Sequence, residues 1–357
     1  MTKAPTKLLI AASGTGGHLF PAIALAKELP DYEIEWLGVP NRLETKLVPQ
    51  QYKLNTISVE GFQKGLSISS LLTFGKLIGS ILKVRNIISQ GKFQGLVTTG
   101  GYIAGPSIMA ARSLGIPAIL HESNALPGKV TRFFGPWYNY VAIGFDVAAQ
   151  YLPRAKTVCV GTPVRQDFLA ANVEKTLDLS IPDGAPLILV FGGSQGAVAV
   201  NKMVRQSAPA WFEAGAWVVH LTGDNDPEAG SLQHPQYISL PFYEKMAALL
   251  HRADLAISRS GAGSLTEMAV CGTPGILIPY PYAAEDHQTY NARVFTSMDA
   301  GILCKQSELT ADILQKKVLE LLKSPETLQM MSDNARKIAV PDSAEKLANL
   351  VRKLVEK

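Results

Sequence analysis

The chain has 357 residues, 47% of them hydrophobic and 18% charged, and its formal net charge is +4. This length exceeds one ordinary core and favours two domains. The mild positive charge suits anionic small molecules or an anionic membrane surface, whereas the lack of a dense Lys/Arg stripe with interleaved aromatics excludes nucleic acid as an expected partner.

The three cysteines, Cys159, Cys271 and Cys304, are odd in number and far apart. Without a Cys-x-x-Cys pair they indicate neither a zinc site nor a disulfide framework, and a reducing cytoplasm is the simplest context. A glycine turn interrupts the first apolar run after about five residues, which is too short for a signal peptide. No run reaches the roughly 18 uncharged apolar residues of a membrane span.

The first predicted unit is a buried strand at residues 8–10, a glycine-rich turn and a helix from Phe20. Gly14, Gly16 and Gly17 allow a sharp bend close to a ligand, and the helix N-terminus suits an anion. His18 stands at the mouth of the turn and can bind a proton near neutral pH. The turn matches neither a P-loop nor a dinucleotide fingerprint, so a plain strand-to-helix connection with a bystander histidine stays open.

The rest of the chain alternates strands and helices, and the strand, glycine turn and helix recur at residues 95–106, 187–197 and 255–272. Other predicted strands cover residues 33–38, 54–59, 117–122, 140–143, 158–165, 217–221, 237–240 and 275–281. Other predicted helices cover residues 43–50, 69–89, 312–322, 325–338 and 343–351, and one more opens near 283. The polar stretch 166–186 is the predicted junction.

This alternation predicts an α/β protein with two doubly wound parallel-sheet domains. Ligands of such sheets bind at the carboxyl ends of the strands, where the glycine turns lie. We therefore expect the turns of both domains to surround one central cleft.

Three stretches of the second half carry candidate binding residues. At residues 258–267 the turn can hold phosphate, Ser264 can cap the helix, and Glu267, placed in its first turn, can bind a ribose diol. The alternative is an acid that merely favours the helix dipole. Residues 191–197 form a second anion cradle, with Ser194 as hydroxyl donor, or a structural turn. Gln288 can bind sugar hydroxyls or lie solvated at a helix start.

Three polar residues of the first half are also candidates. Asn124, just past a strand end, is placed to touch a ligand, while His121 is equally a catalyst or a buried, hydrogen-bonded histidine. Arg165 follows a rigid Gly-Thr-Pro segment and either reaches into the cleft or forms a surface ion pair.

The helix at 69–89 has more apolar residues than one buried face needs: Leu71, Leu72, Phe74, Leu77, Ile78, Ile81 and Leu82. Lys76, Lys83 and Arg85 accompany them. Such a helix can lie on an anionic membrane, or it is a core helix with a solvated basic face.

Seven motifs occur in the order and spacing of one family: GTGGHLFPA, TTGGYIAGP, HESNALPG, GTPVR, FGGSQGA, SRSGAGSLTE and DHQTYNA. Over residues 7–300 the chain thus resembles the MurG family of bacterial peptidoglycan glycosyltransferases, in glycosyltransferase family 28. The resemblance implies a GT-B fold, with an acceptor and membrane-associating domain at 1–164 plus 340–357 and a UDP-GlcNAc-binding domain at 165–339. GAGSLTE departs from the GALTVSE of some relatives, although the spacing to Glu267 holds.

The resemblance also implies site residues. His18 is the implied catalytic base, with phosphate ligand as its alternative role. The implied substrate-binding residues are Thr15, Gly16, Gly17, Asn124, Arg165, Ser194, Tyr243, Ala262, Gly263, Ser264, Leu265, Thr266, Glu267 and Gln288. The implied acceptor-diphosphate loop is Gly100, Gly101 and Tyr102.

The implied reaction is inverting transfer of N-acetylglucosamine from UDP-GlcNAc to lipid I, giving lipid II, at the cytoplasmic face of the bacterial inner membrane. No metal-ligand cluster is evident in the sequence, so no protein-bound cofactor is expected; a divalent ion that assists the diphosphate stays open. The alternatives are a UDP-GlcNAc 2-epimerase, which needs no lipid acceptor, and a nucleotide-sugar-binding regulator without turnover.

Overall fold

The computed structural model describes residues 5–58, 68–169, 177–193 and 196–356, without the side chains of 68–74. Its contacts divide the chain into two units. The first combines Met1–Arg165 with Val340–Lys357, and the second is Gln166–Ala339. Arg165, which the resemblance places at the start of the second domain, is the last residue of this part of the first unit.

A seven-stranded sheet forms the centre of the first unit. Its strands are β1 (Thr6–Ala11), β2 (Tyr32–Gly38), β3 (Lys53–Thr56), β4 (Gly95–Thr98), β5 (Ala118–Glu122), β6 (Tyr140–Ile143) and β7 (Thr157–Cys159). They pair in parallel in the order β3-β2-β1-β4-β5-β6-β7. The order reverses at β1, so a crevice opens beside its carboxyl end, which is where such sheets bind ligands.

Helices cover both faces of this sheet. They are α1 (Gly16–Lys27), α2 (Glu44–Leu47), α3 (Ile68–Gly91), α4 (Ala104–Ser113) and α5 (Lys129–Phe134). Successive residues of β1 alternate between two cores: Leu8 and Ile10 pack on the α1 side, and Leu9 packs with Val84 of α3. A strand buried on both faces needs this continuous apolar run.

Helix α1 begins earlier than predicted. The sequence predicts a start at Phe20, but Gly14 completes the turn alone at φ +106° and Thr15 is already the extended N-cap. Gly16, Gly17 and His18 therefore form the first helical turn instead of a loop.

The second unit repeats the plan with six strands. They are β8 (Leu187–Phe191), β9 (Trp217–Leu221), β10 (Tyr237–Leu240), β11 (Leu255–Ser258), β12 (Gly275–Leu277) and β13 (Gly301–Leu303). All pair in parallel, in the order β10-β9-β8-β11-β12-β13. The predicted strand at 275–281 ends at Leu277 because Pro279 and Pro281 follow and have no N–H for the ladder.

In the described part of this unit, the helices that flank the sheet are α6 (Val198–Glu213), α7 (Met246–Arg252), α8 (Ala262–Cys271), α9 (His287–Thr296), α10 (Ala311–Leu322) and α11 (Pro325–Ile338). Trp211 of α6 is fully buried at the centre of this core.

The last helix, α12 (Ser343–Val355), returns to the first unit. Leu347 and Val351 are fully buried in the core shared with Leu8. At its far end, the Tyr32 hydroxyl donates to Glu356 over 2.8 Å, so the end of α12 is fastened to the start of β2.

Among the described residues, no helix combines the length and the hydrophobicity needed to cross a membrane.

We expect Leu347→Ala to lower the free energy of unfolding of the first unit by about 3 kcal/mol, because it removes a fully buried side chain and leaves a cavity. Chemical denaturation measures this change. Asn349→Ala, an exposed position on the same helix, is the control and should change stability by less than about 0.5 kcal/mol. Equal losses in both variants would show that α12 is not part of the core.

Candidate active site

His18 lies in the first turn of α1, at the carboxyl end of β1. Its Nδ1 is 3.1 Å from the Ser13 carbonyl oxygen. Because a carbonyl only accepts, Nδ1 carries the proton and donates, which leaves the lone pair on Nε2. The half-buried ring thus presents a basic nitrogen on the side away from Ser13.

The loop after β4 lies against the same ring. A Cβ atom at Gly101 would be 3.4 Å from the His18 Cε1, and one at Gly100 would be 3.8 Å from Nε2. Both glycines have positive φ, +90° at Gly100 and +73° at Gly101, which side-chain-bearing residues rarely adopt. The fold therefore brings together the predicted base and the predicted acceptor-diphosphate loop, whose Tyr102 is 60% exposed.

The start of α1 is open to an anion. Thr15 and Gly17 are exposed, Gly16 is half-buried, and the Thr15 side chain makes no capping hydrogen bond. The first N–H groups of a helix have no acceptor within the helix, and they carry the positive end of its dipole.

Asn124 is held by its neighbour Glu122. The Glu122 carboxylate accepts from the Asn124 backbone N–H and side-chain amide, both at 3.0 Å. It also accepts from Gly128 N–H at 3.1 Å and from the Thr131 hydroxyl at 2.7 Å. A buried carboxylate with four donors fixes this loop beside β5.

His121 is a buried, hydrogen-bonded histidine, so the catalytic alternative is wrong. It is fully buried, and its Nε2 lies 2.9 Å from the Gly161 carbonyl oxygen. Burial lowers the pKa of His121, which keeps the ring neutral.

Arg165 stacks on Phe20, with its guanidinium carbon 4.9 Å from the ring centroid. Phe20 stands one turn into α1, and a Cβ at Gly16 would lie 2.8 Å from its ring. The arginine is half-buried. This cation–π contact places a guanidinium beside the first turn of α1.

In the second unit, the loop after β8 is packed against the end of β9. A Cβ at Gly196 would lie 2.4 Å from the Thr222 carbonyl oxygen, and Gly196 has φ +73°. Only glycine fits there. Ser194, the predicted hydroxyl donor of this cradle, lies outside the described residues.

A buried polar network supports this loop from below. Asn201 of α6 donates to Thr222 O at 2.9 Å and to Asp226 Oδ2 at 2.7 Å. Arg205 pairs with the same carboxylate at 2.7 Å. His220 of β9 accepts from the Tyr237 hydroxyl at 2.7 Å and donates to Asn201 Oδ1 at 3.0 Å.

The Glu267 region differs from the prediction in two details. The N-cap of α8 is Gly261, and no side chain caps the helix, so Ser264 is not a cap but the third helical residue. Glu267 is the sixth, in the second turn, since the helix starts at Ala262 directly after Gly261. Along this start, Ala262, Leu265 and Thr266 are buried, while Gly263, Ser264 and Glu267 are half-buried.

Gln288 lies in the first turn of α9, beside the loop after β11. Its side-chain oxygen accepts from Tyr280 N–H at 2.9 Å, and its backbone oxygen accepts from the Ser260 hydroxyl at 2.8 Å. The amide N–H groups of this side chain have the chemistry to donate to a hydroxyl. Glu285 and Asp286, both with positive φ, make the turn that precedes it.

Tyr243 follows β10. Its hydroxyl accepts from Asp178 N–H at 3.3 Å, and Lys245 forms an ion pair with Asp178 at 3.0 Å. Phe242 is 71% exposed. These contacts fix the segment that follows β10.

Within the described ranges, no group of three or more His, Cys, Asp or Glu side chains is placed to hold a metal ion.

Comparison with known proteins identifies the family. Residues 8–143 match the glycosyltransferase family 28 N-terminal domain, and residues 187–347 match the glycosyltransferase family 28 C-terminal domain. The chain belongs to glycosyltransferase family 28.

Similar proteins extend this family assignment over the whole chain. The chain is 74% identical, over the full length of both, to the UDP-N-acetylglucosamine--N-acetylmuramyl-(pentapeptide) pyrophosphoryl-undecaprenol N-acetylglucosamine transferase of Trichormus variabilis. The crystal structure of Acinetobacter baumannii MurG matches with TM-score 0.78 and 28% identity, covering 98% of this chain and all of that one.

A UDP-N-acetylglucosamine 2-epimerase structure from Listeria monocytogenes shares the fold with TM-score 0.70, at 13% identity over 99% of this chain and 97% of that one. That likeness concerns the fold alone. The predicted α/β, GT-B fold of this family 28 member is confirmed.

Three residues beside the predicted site residues were not predicted from the sequence: Glu44, which binds the turn before His18, Phe20, on which Arg165 stacks, and Arg259, which follows β11. Buried Arg259 donates to the carbonyl oxygens of Ile278 and Pro279 at 3.1 and 3.0 Å. The one sequence signal for Arg259 is its charge directly after an apolar strand. For Glu44, nothing in the neighbouring sequence distinguishes a buried acid from a surface one.

The buried His220 predicts a pH dependence of stability. Burial lowers the pKa of His220 from 6.5 to about 3. Between these two pH values the unfolded chain binds a proton at His220 and the folded chain does not. Stability is therefore full above pH 6.5 and falls as the pH drops from 6.5 towards 3, by about 1.4 kcal/mol per pH unit for this group.

We expect His220→Gln to remove the pH dependence that His220 contributes. As the pH drops, the free energy of unfolding of the variant should therefore fall less steeply than that of the unaltered protein. Denaturant unfolding at several pH values between 7 and 4 compares the slopes. Asp226 and the other carboxylates are common to both proteins and cancel in the difference. Parallel slopes would contradict the buried, neutral state of His220.

Proposed function

We propose that this chain transfers N-acetylglucosamine from UDP-GlcNAc to the 4-hydroxyl of the N-acetylmuramyl group of undecaprenyl-diphospho-MurNAc-pentapeptide, lipid I, giving lipid II for peptidoglycan. The observation that carries the proposal is the full-length, 74% identity to a transferase of that name. The placement of His18 between two glycine loops supports it.

The proposed chemistry is a direct displacement. His18 Nε2 removes the proton from the acceptor hydroxyl as its oxygen attacks the anomeric carbon of the sugar. The bond from that carbon to the UDP oxygen breaks, the configuration inverts, and the electron pair leaves with the diphosphate. The Nδ1 bond to Ser13 keeps the lone pair on Nε2, which is what a general base requires.

The two units divide the substrates in this proposal. In the first, Gly100, Gly101 and Tyr102 bind the acceptor diphosphate, while Thr15, Gly16, Gly17, Asn124 and Arg165 bind substrate beside His18.

The second unit binds UDP-GlcNAc. The loop after β8 and the start of α8 offer backbone N–H groups to the diphosphate, and this stabilises the charge of the leaving group. Tyr243 binds the uracil through its backbone, Glu267 the ribose hydroxyls, and Gln288 the sugar.

The rival functions are separated by one assay. Labelled UDP-GlcNAc is incubated with the protein and a lipid I analogue. Label on the lipid supports the transferase, UDP-ManNAc supports a 2-epimerase, and binding without product supports a regulator.

His18→Ala should lower transfer by about 100-fold and leave UDP affinity nearly intact, because a general base contributes to the chemical step and not to nucleotide binding. Steady-state kinetics and UDP titration measure the two quantities. His234→Ala, an exposed histidine that precedes β10, is the control. Undiminished transfer by His18→Ala would remove the base assignment.

We further propose that the enzyme works as a peripheral protein on the cytoplasmic face of the bacterial inner membrane, where α3 contacts anionic lipid. Ile78 and Leu82 lie one turn apart on this helix and are 43% and 59% exposed. Lys76, Lys83 and Arg85 are exposed on the same helix. Exposed apolar residues beside basic ones suit an anionic bilayer surface. Leu71, Leu72 and Phe74, also predicted for this contact, have side chains outside the description.

The double variant Ile78→Glu, Leu82→Glu should sediment less with anionic vesicles than the unaltered protein, since both positions would then repel the surface. Asn349→Glu, an exposed position on α12 instead of α3, controls for added charge. Equal sedimentation of the double variant and the unaltered protein would contradict the contact.

A further inference from the structure

Glu44 is a buried carboxylate that lies next to the turn before His18. Its side chain is fully buried at the start of α2. Oε1 accepts from the Ser13 hydroxyl at 2.6 Å and from Val39 N–H at 2.7 Å, and Oε2 accepts from Gly14 N–H at 3.4 Å. One carboxylate therefore joins the chain after β1 to the chain after β2.

Ser13 and Gly14, which both donate to Glu44, also lie next to the His18 ring. The carbonyl oxygen of Ser13 accepts the Nδ1 proton at 3.1 Å, and a Cβ at Gly14 would lie 3.9 Å from Nδ1. Glu44 holds the hydroxyl of Ser13 and the N–H of Gly14, that is, both sides of the peptide whose carbonyl fixes the tautomer of His18.

We infer that Glu44 is a positioning residue for the base: through Ser13 and Gly14 it holds the carbonyl that directs the His18 lone pair towards the substrate. The inference rests on the proposed function, in which His18 is the base. Glu44 touches neither substrate nor His18 itself in this assignment.

The site requires a carboxylate. All three of its partners donate, and only an ionised carboxylate accepts from all of them without offering a proton of its own. A glutamine has the same shape, but its NH2 group would face either Gly14 N–H or the Ser13 and Val39 donors. The side chain at this position is fully buried and packs so closely on Gly38 that a Cβ there would lie 2.7 Å from the Glu44 Cγ, so the glutamine cannot turn out to solvent.

Glu44→Gln should therefore loosen the Ser13–Gly14 peptide and misalign His18. We expect kcat to fall about 10-fold, since small displacements of a base are costly, with KM for UDP-GlcNAc within about twofold. Glu35→Gln is the matched control. Glu35 is a largely buried glutamate of β2 that binds Lys53 and Asn55 instead of the turn, and its replacement should leave kcat unchanged.

The double variant Glu44→Gln, His18→Ala distinguishes an effect of Glu44 through His18 from a merely structural role. If Glu44 acts through His18, Glu44→Gln lowers the residual rate of the His18→Ala enzyme by less than about twofold. An equal, 10-fold loss in both backgrounds, or an unchanged kcat in the single variant, would overturn the inference. Ser13→Ala, which deletes only one donor, is the second probe should Glu44→Gln fail to fold. We expect Ser13→Ala to lower kcat about threefold when His18 is present and to leave the residual rate of the His18→Ala enzyme unchanged.

Failure of the underlying function has a different signature. If the unaltered protein moves no label to the lipid I analogue, the proposed function is overturned and the inference with it. If the unaltered protein transfers the label but Glu44→Gln lowers the rate equally with and without His18, the inference about Glu44 alone is overturned.

Discussion

In each unit, a turn from a strand of the sheet into a helix requires glycine, either because a side chain would collide with its neighbours or because φ is positive. Gly196 shows it most sharply, since a Cβ there would lie 2.4 Å from the Thr222 carbonyl oxygen. Gly101 shows it beside His18, at φ +73°. Absence of the Cβ lets backbone N–H groups reach the surface where an anion can meet them. Larger residues would push these loops apart and remove the donors.

Buried acids hold the loops that the glycines shape. Glu122 fastens the Asn124 loop, Asp226 joins α6 to the end of β9, and Glu44 joins the turns after β1 and β2. Each accepts several hydrogen bonds, so the cost of burying a charge is offset by donors that would otherwise be unsatisfied. Such sites suit a transferase, because the catalytic geometry is then fixed before substrate arrives.

Helix α12 ties the end of the chain to its beginning. It packs in the same core as β1, and Arg352 donates to the Glu28 carbonyl oxygen at the end of α1 over 2.8 Å. The helix that carries His18 is thus held at one end by the turn and at the other by residues more than 300 positions away.

The sequence by itself determined the alternation of strands and helices, the parallel sheets and the recurring glycine turns, because these depend on local periodicity and on glycine's freedom. It also marked His18, Gly100, Gly101 and Gln288, which stand in or next to those turns.

Only the tertiary structure decided the states of His121 and Glu44. Whether a histidine is buried and neutral, or an acid receives three donors, depends on partners distant in the chain: Gly161 lies 40 residues from His121, and Ser13 lies 31 residues from Glu44. The same holds for Arg165, whose stacking partner Phe20 is on another helix. Local patterns carry no record of such contacts, because they arise only when parallel strands bring separate turns to one edge of a sheet.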